Sequence, residues 1–467
     1  MFAVCDNNKR IHLVGIGGIG VSGLAEILHH LGYIVQGSDK ANSQNLERLE
    51  KLGIKIFIGH DAENVGKADV VVFSSAIKDY NPEMIFAKTN KIPCLSRAEM
   101  LSQIVRFKKS VVVAGSHGKT TVTSICAAIL EMASYDPTVI NGGVINSYKT
   151  NAKLGVGDWT VIESDESDGS FVNFLPTIGI VTNIDREHVT HYGNFDNLKQ
   201  SFKKFLNNIP FYGAGIVCID DENVCDVISD INDRKIITYS INNDAMFKAV
   251  NIKKTKTGST FDVLLNNSTI IGKFEIPLLG DHNIRNSLSA IAMSSELGID
   301  LDITKATLSS FTGVNRRFSY IGTIEEIRII DDYAHHPTEI RALLDSAKQT
   351  SNGKVIIICQ PHRFTRLNLL FNEFVESFDN SDTVIVLPVY KADDYEDAEL
   401  NSKHLYEELL SKGKNAFFAN DQYEIEDLLK KLIVSQKLSE NDVILFAGAG
   451  NISKWAREIT NNIGKLA

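Results

Sequence analysis

The stretch 111–132, VVVAGSHGKTTVTSICAAILEM, constrains the fold more than any other part of this chain. Its first apolar residues run without alternation, as in a strand buried on both faces, and its second half has the length and pattern of a helix. A glycine-bounded loop separates them. A strand that passes through such a turn into a helix opens a parallel βα unit, which rules out an all-helical or all-antiparallel molecule.

That loop is Gly115, Ser116, His117, Gly118, Lys119, Thr120 and Thr121. Its successive N–H groups suit a phosphate cradle, with Lys119 on the transferring phosphoryl group and the Thr120 hydroxyl on Mg2+ (or Mn2+). The spacing is a shortened GxxGKT, because Val113 stands where the first glycine of GxxxxGK[ST] would be. A glycine turn with a chance lysine is the plainer alternative. Strand, loop, lysine and helix together favour the cradle.

The same βα style extends along all 467 residues. In the first block, runs such as IHLVG, IKIFIG and ADVVVFSSA alternate with helical segments at Gly20–Leu31 and Gln44–Leu52. It ends at the charged seam RFKKS, residues 106–110. A second block runs from the cradle through WTVIESDESD, TIGIVTN and AGIVCID to the helical HNIRNSLSAIAMSSELG. Within it, INNDAMFKAV reads as a surface hairpin or loop. A third, from about Gly313, has strands at IRIIDDY, KVIIICQ, DTVIVLPVY and DVILFAGAG, with helices at Thr338–Gln349, Leu400–Ser411 and Gln422–Val434. The expectation is α/β with three domains: Rossmann-like over 1–107, a central P-loop ATPase-like mixed sheet over 108–313, and a second Rossmann-like domain over 314–467.

Other motifs sit at strand ends. Gly15, Gly17, Gly18 and Gly20 form GxGxxG between a strand and a helix, and Asp39 ends the next strand, where a ribose-binding acid would stand. This fits a dinucleotide or nucleotide-diphosphate site, and equally a tight turn that needs glycine for packing. Glu163, Asp165, Glu166 and Asp168 put four acids in six residues after the run WTVI. Such crowding invites a cation, although acidic loops are commonly just solvated, and Glu163, nearest the strand end, is the best single ligand. His188, in NIDREH, is a metal ligand or a surface histidine.

Asn283 and Asn286 lie a turn apart on a helix that Asp281 would cap. They are placed to read an adenine edge, or are simply exposed. Tyr333, His335 and His336 follow Asp331 and Asp332 at a strand end, as in a wet polar site. Arg363 and Arg366 have the spacing of one helical turn and the fork geometry for carboxylate or phosphate. The Gly448–Asn451 loop reads as a final βα turn.

The ordered set GIGGIG, GSHGKTT, ESDESD, NIDREH, DHNIRN, NRRF, DDYAHHP and QPHRFTR resembles the Mur ligases across essentially the whole chain, and most closely their alanine-adding members. Ser116, where threonine is common, and Glu187-His188 for Asp-His are the visible departures. The resemblance implies an ATP-dependent amide-bond-forming ligase of peptidoglycan precursor synthesis that uses UDP-N-acetylmuramate, L-alanine and ATP through an acyl phosphate. It assigns catalysis to Lys119, Glu163, His188 and His335, and metal ligation to Thr120, Glu163 and His188. Gly115 to Thr121, Asn283, Asn286 and Arg317 would engage ATP. Gly15, Gly17, Gly18, Gly20, Asp39, Ser74, Ser75 and Ala76 would line the UDP-sugar site. Tyr333, His335, Arg363 and Arg366 would take the amino acid.

Composition narrows the alternatives. With 48 Lys+Arg against 58 Asp+Glu, the net charge of −10 argues against nucleic-acid binding through a basic face. Six scattered cysteines, among them Cys5, form no CxxC pair and read as reduced thiols. No apolar run reaches the roughly 20 residues of a membrane span, and the N-terminus lacks a signal-peptide core, so membrane insertion is not expected and the cytoplasm is. Monomer and homodimer are both open. The competing readings are a sister ligase adding another residue or recycling a peptide, an NAD(P)-dependent oxidoreductase suggested by GIGGIG, and a non-catalytic nucleotide-binding module.

Overall fold

A computed structural model describes residues 9–74, 76–105, 108–145, 150–392, 394 and 400–466. Cys5, Ser75 and the Arg106-Phe107 part of the expected seam lie outside the described residues. The chain divides into two compact units. The first takes the chain up to Asn251 with Phe261–Phe274 and Arg285–Gly313, and the second takes Ile252–Thr260, Glu275–Ile284 and the chain from Val314.

The N-terminal sheet contains β1 (Arg10–Val14), β2 (Ile34–Asp39), β3 (Lys55–Ile58), β4 (Val70–Phe73) and β5 (Cys94–Ser96). It is parallel throughout, in the order β3-β2-β1-β4-β5. Helices α1 (Ile19–His30), α2 (Gln44–Lys51), α3 (Ala62–Val65), α4 (Pro82–Thr89) and α5 (Arg97–Val105) link the strands. The order reverses between β2-β1 and β1-β4, so the turn after β1 stands at the switch point where such sheets bind ligands.

The central sheet is larger. Its strands are β6 (Lys109–Ala114), β7 (Thr138–Ile145), β8 (Thr150–Lys153), β9 (Trp159–Glu163), β10 (Ile178–Val181), β11 (Ala214–Cys218), β12 (Ile236–Ser240), β13 (Phe247–Lys254), β14 (Ser259–Leu265) and β15 (Thr269–Ile276). Their order is β15-β14-β13-β12-β11-β10-β6-β9-β7-β8. The helices are α6 (Lys119–Met132), α7 (Val189–Tyr192), α8 (Phe195–Asn207), α9 (Glu222–Ile228), α10 (Asp281–Glu296) and α11 (Leu301–Ser309). Because β9, β6 and β10 are parallel neighbours, the loops that follow them emerge side by side. One apolar core joins Leu24 and Leu28 of α1 to Ile140, Ile162, Phe171 and Phe202. Each such buried side chain contributes about 1.5–3 kcal/mol relative to exposure.

The second unit carries β16 (Ser319–Ile324), β17 (Ile327–Asp332), β18 (Val355–Cys359), β19 (Thr383–Val386), β20 (Ala416–Phe418), β21 (Val443–Ala447) and β22 (Lys465–Leu466). The sheet order is β20-β19-β18-β21-β17-β16-β22, antiparallel only at the β16 edge. Helices α12 (Pro337–Thr350), α13 (Phe364–Leu369), α14 (Phe371–Ser377), α15 (Ser402–Ser411), α16 (Gln422–Gln436) and α17 (Ile452–Ile463) build the flanking layers. Separate cores, one around Leu344 and Phe374 and one around Leu429 and Ile459, cover both faces.

Three expectations change. INNDAMFKAV is not all loop: β13 begins at Phe247, because Phe247 and Ala249 alternate inward and Phe247 pairs with Tyr239. The α12 helix starts at Pro337, whose missing N–H costs nothing at a first turn. Arg363 and Arg366 do not share a helical turn, since Arg363 precedes α13 with φ +70°. Cys94, Cys126, Cys218, Cys225 and Cys359 are free thiols. No helix among the described residues is long and apolar enough to cross a membrane.

Candidate active site

The cradle follows β6 as expected. Gly118 has φ +84°, a backbone conformation that favours glycine, and a Cβ there would stand 2.7 Å from Asn286 Oδ1, so that amide would have to shift. The loop after β10 holds the cradle in shape. The Asn183 side chain accepts from His117 N at 2.8 Å and donates to His117 O at 3.0 Å. Thr182 Oγ1 donates to the same carbonyl at 2.6 Å, and Asp185 N donates to Ser116 Oγ at 2.8 Å. His117 Nε2 lies 3.0 Å from Asp185 Oδ2.

Lys119 Nζ donates to Gly115 O (2.5 Å), Ser116 O (3.0 Å) and Glu166 Oε2 (2.8 Å). Thr120 Oγ1 donates to Glu163 Oε1 at 3.1 Å, and Gly142 N donates to Glu163 Oε2 at 2.7 Å. Ligand atoms of Asp165, Glu166 and His188 lie within 4.8 Å of one another. His188 takes φ +55°, in the left-handed region that non-glycine residues visit uncommonly, just before α7.

The electrostatics are lopsided. Burial works against the Lys119 ammonium, yet Glu166, Asp165 and Glu187 outweigh it and hold its pKa above the ordinary lysine value. Burial above all, with Asp165 and Glu187 adding to it, pushes the Glu166 carboxyl up to about 8 in spite of Lys119. Glu166 Oε1 is buried with no hydrogen-bond partner among the described residues. One lysine is thus shared among several acids, and the cluster is short of positive charge. Hard oxygen donors around that deficit (Thr120, Glu163, Asp165, Glu166) suit a divalent cation such as Mg2+, with His188 beside them.

The N-terminal turn is built differently. Gly15 N and Ile16 N donate to Ser38 O at 2.8 and 3.0 Å. Gly17 N donates to Asp39 Oδ2 at 2.8 Å, and Lys40 N donates to the other oxygen at 2.7 Å. Asp39 therefore ends β2 as expected, but its carboxylate fastens the turn. These three turn amides are engaged, as is Gly18 N, which donates to Gly15 O at 3.2 Å, so an anion would be met by first-turn N–H groups of α1, such as those of Ile19 and Gly20. Arg97 packs on Gly20, where an added Cβ would meet its Nη1 at 2.8 Å. Ser74 Oγ accepts from Ala76 N at 3.1 Å in the turn after β4.

In the second unit, the loops after the neighbouring strands β17, β18 and β21 converge. The Arg316 and Arg317 guanidinium carbons lie 4.9 and 5.4 Å from the centre of the Tyr333 ring. His335 Nδ1 is 2.8 Å from Tyr333 O, and its ring stands 5.6 Å from that of His362. Arg366 Nη1 donates to His362 O at 3.1 Å. Arg363 Nε is buried with no hydrogen-bond partner among the described residues, an arrangement that favours an incoming anion. Burial lifts the Asp332 carboxyl to about 6, although Arg317 and the N–H groups of Phe318 and Ala334 oppose the shift. Asn283 donates to Leu279 O at 2.8 Å.

A curated relative from Brucella anthropi, UDP-N-acetylmuramate–L-alanine ligase, is 46% identical over 463 residues, covering 98% of each chain. The chain belongs to the Mur ligase family. Family models match this Mur ligase in three places: the family's catalytic domain at residues 10–109, the middle domain at 113–294 and the glutamate ligase domain at 316–450. It is similar to the crystal structure of UDP-N-acetylmuramate–alanine ligase from Thermotoga maritima, with 32% identity, TM-score 0.82, and 97% and 99% of the two chains covered. A murein peptide ligase from Psychrobacter arcticus shares the fold, at 23% identity and TM-score 0.72, over 98% of this chain and 100% of its own.

Sequence reasoning singled out Lys119, Thr120 and Glu163 in this Mur ligase but missed the partner of Lys119. That partner is Glu166, three residues beyond the acid chosen. The signal was present in the acidic run; what it lacked was which acid turns inward. The supports Asn183 and Thr182 were also missed, since an asparagine and a threonine after a strand look like any turn.

Proposed function

We infer that this chain joins L-alanine to the carboxylate of UDP-N-acetylmuramate at the expense of ATP, a step of peptidoglycan precursor synthesis. The observation that carries the reading is the Lys119 ammonium held in the glycine cradle against Glu166, with Thr120 on Glu163. A carboxylate is a poor acyl donor because resonance and charge protect its carbon. One of its oxygens attacks the γ-phosphorus of ATP, ADP leaves, and an acyl phosphate results. The amine of alanine then attacks the carbonyl carbon, and phosphate departs with the former carboxylate oxygen.

The residues divide this work. Gly115 to Thr121 cradle the triphosphate, and Lys119 swings from Glu166 onto the transferring phosphoryl group, where it neutralises developing charge. Thr120, Glu163 and His188 hold Mg2+ (or Mn2+), with Asp165 and Glu166 adding oxygens close by. Bound there, the ion supplies charge neutralisation at the phosphoryl oxygens. Asn286, against Gly118, together with Asn283 and Arg317, engages ATP. Gly15, Gly17, Gly18, Gly20, Asp39 and the Ser74-Ser75-Ala76 turn serve the UDP-sugar. Tyr333, His335, Arg363 and Arg366 receive alanine, the arginines taking its carboxylate.

The division of labour follows three domains, 1–107 for the sugar nucleotide, 108–313 for ATP and 314–467 for the amino acid. We further propose that the enzyme works in the cytoplasm. Phosphate release with ATP and UDP-N-acetylmuramate tests the assignment, comparing L-alanine, L-serine, glycine and D-glutamate. Release strongest with L-alanine supports it. Release driven by D-glutamate, or independent of the sugar nucleotide, refutes it.

A further inference from the structure

Beneath the N-terminal turn lies a polar cluster that the reaction scheme does not use. Glu83, at the start of α4, is fully buried, as is His12 in the middle of β1. Ser38 Oγ donates to Glu83 Oε2 at 2.6 Å, and His60 Nδ1 approaches the same oxygen at 3.1 Å. Asn64 Nδ2 donates to Oε1 at 2.8 Å, and His12 Nε2 stands 3.6 Å from that atom. The amide of Gln36 reaches His12 Nδ1 at 3.3 Å and donates to Asn64 O at 2.8 Å. Burial disfavours the charge on Glu83, but the nearby His12 imidazole and the hydrogen bonds from Ser38 and Asn64 outweigh it and hold the carboxyl at about 2. A buried carboxylate is tolerable only when its lone pairs are filled in this way.

The cluster does not touch the turn through its own side chains. It acts through Ser38, whose carbonyl oxygen accepts from both Gly15 N and Ile16 N. The next residue, Asp39, accepts from Gly17 N. The end of β2 is therefore clamped on one side by Glu83 and holds three successive amides of the turn on the other. Those amides fix where α1 begins, and with it where the N–H groups at Ile19 and Gly20 point. A support of this type sets the aim of a binding site to within fractions of an ångström, which side chains on the turn alone would not.

We propose that Glu83 is a positioning residue for the UDP-sugar site: through Ser38 it sets the geometry of the glycine turn that receives the diphosphate, while taking no part in phosphoryl transfer. The proposal rests on the assignment of the N-terminal turn to UDP-N-acetylmuramate. It places the determinant of sugar-nucleotide affinity one layer beneath the turn, in a carboxylate that the substrate never meets.

The test uses the full-length enzyme and three variants, Glu83→Gln, Ser38→Ala and Gly17→Ala, each checked for a cooperative melt. Steady-state kinetics with each substrate varied in turn are paired with direct binding of UDP-N-acetylmuramate. Glu83→Gln raises the KM for UDP-N-acetylmuramate about tenfold, the scale of leaving one buried donor poorly paired, and Ser38→Ala raises it by a smaller factor. The KM values for ATP and L-alanine stay within about twofold, a split that general loosening of the fold would not give. Glu83→Asp, which keeps the charge, recovers part of the loss. Gly17→Ala, whose Cβ would stand 2.9 Å from Asp39 Oδ2, disturbs the turn directly and serves as the comparator. If Gly17→Ala weakens sugar-nucleotide binding while the folded Glu83→Gln and Ser38→Ala proteins bind normally, the positioning role is overturned and the site assignment stands. If all three bind normally, the turn is not the sugar-nucleotide site and the inference falls with it. Should Glu83→Gln fail to fold, Ser38→Ala alone decides between these outcomes.

Discussion

Two glycine-rich turns open two domains of this enzyme, and they are held in shape by opposite means. In the N-terminal turn, Gly15, Ile16 and Gly17 give their N–H groups to Ser38 and Asp39, and no lysine follows. In the central turn, the backbone is braced from outside by Thr182, Asn183 and Asp185, while Lys119 and buried acids face each other across it. On the proposed assignment, the contrast separates gripping from transferring. A site that only grips a diphosphate needs donors fixed in place, and a well-paired support beneath them suffices. A site that moves a phosphoryl group needs positive charge able to follow the negative charge as it shifts, and an excess of acid keeps such a cation present and protonated.

The largest effect that could break this comparison is at the central turn. Lys119→Ala is expected to lower kcat by about 10²–10³, the scale of removing one transition-state donor, with the KM for UDP-N-acetylmuramate little changed. Near-normal turnover would place the transferring site elsewhere.

Next comes the stability that the N-terminal turn draws from Glu83. Its folded pKa of about 2 lies below the ordinary value of 4.5. A depressed acid stabilises the fold above its unfolded pKa, and the contribution is lost as pH falls through the folded one. Denaturant titrations of wild type and Glu83→Gln should therefore differ by about 3 kcal/mol, evenly from pH 8 to about pH 5, with the gap closing only below about 4.5. A gap that closes between pH 8 and 6 instead would mean that a histidine, not the carboxylate, carries the charge.

A control stands outside both turns. Arg363→Lys should raise the KM for alanine about tenfold and leave that for ATP nearly alone, because lysine lacks the fork that matches a carboxylate. Equal rises would remove Arg363 from the amino-acid site. The smallest effect sharpens the account of the N-terminal turn: Asp39→Ala frees two N–H groups and should weaken UDP-N-acetylmuramate binding about threefold to fivefold, read by titration, with kcat intact.

The sequence alone exposed the fold class and much of the central site, because both are written in local spacing. A buried strand, a short loop and a helix fix Lys119 and Thr120 relative to the sheet, and Glu163 is legible as the last residue of β9. What stayed hidden depends on contacts across long stretches of chain. Lys119 meets Glu166 only because β9 lies beside β6. The Glu83 cluster gathers His12, Ser38, His60 and Asn64 from separate elements, and each of them looks like an ordinary surface residue in the string. Arg363 was misread for another reason: spacing suggests a helical turn, but its backbone takes φ +70° just before α13, a conformation that an arginine in the string does not advertise.

The central claim is that the carboxylate of the sugar nucleotide is phosphorylated before alanine attacks. Labelling that carboxylate with 18O and analysing the phosphate released during alanine addition tests it most directly. The account predicts phosphate carrying one labelled oxygen from the substrate. Phosphate without label, released alongside the amide product, would contradict it.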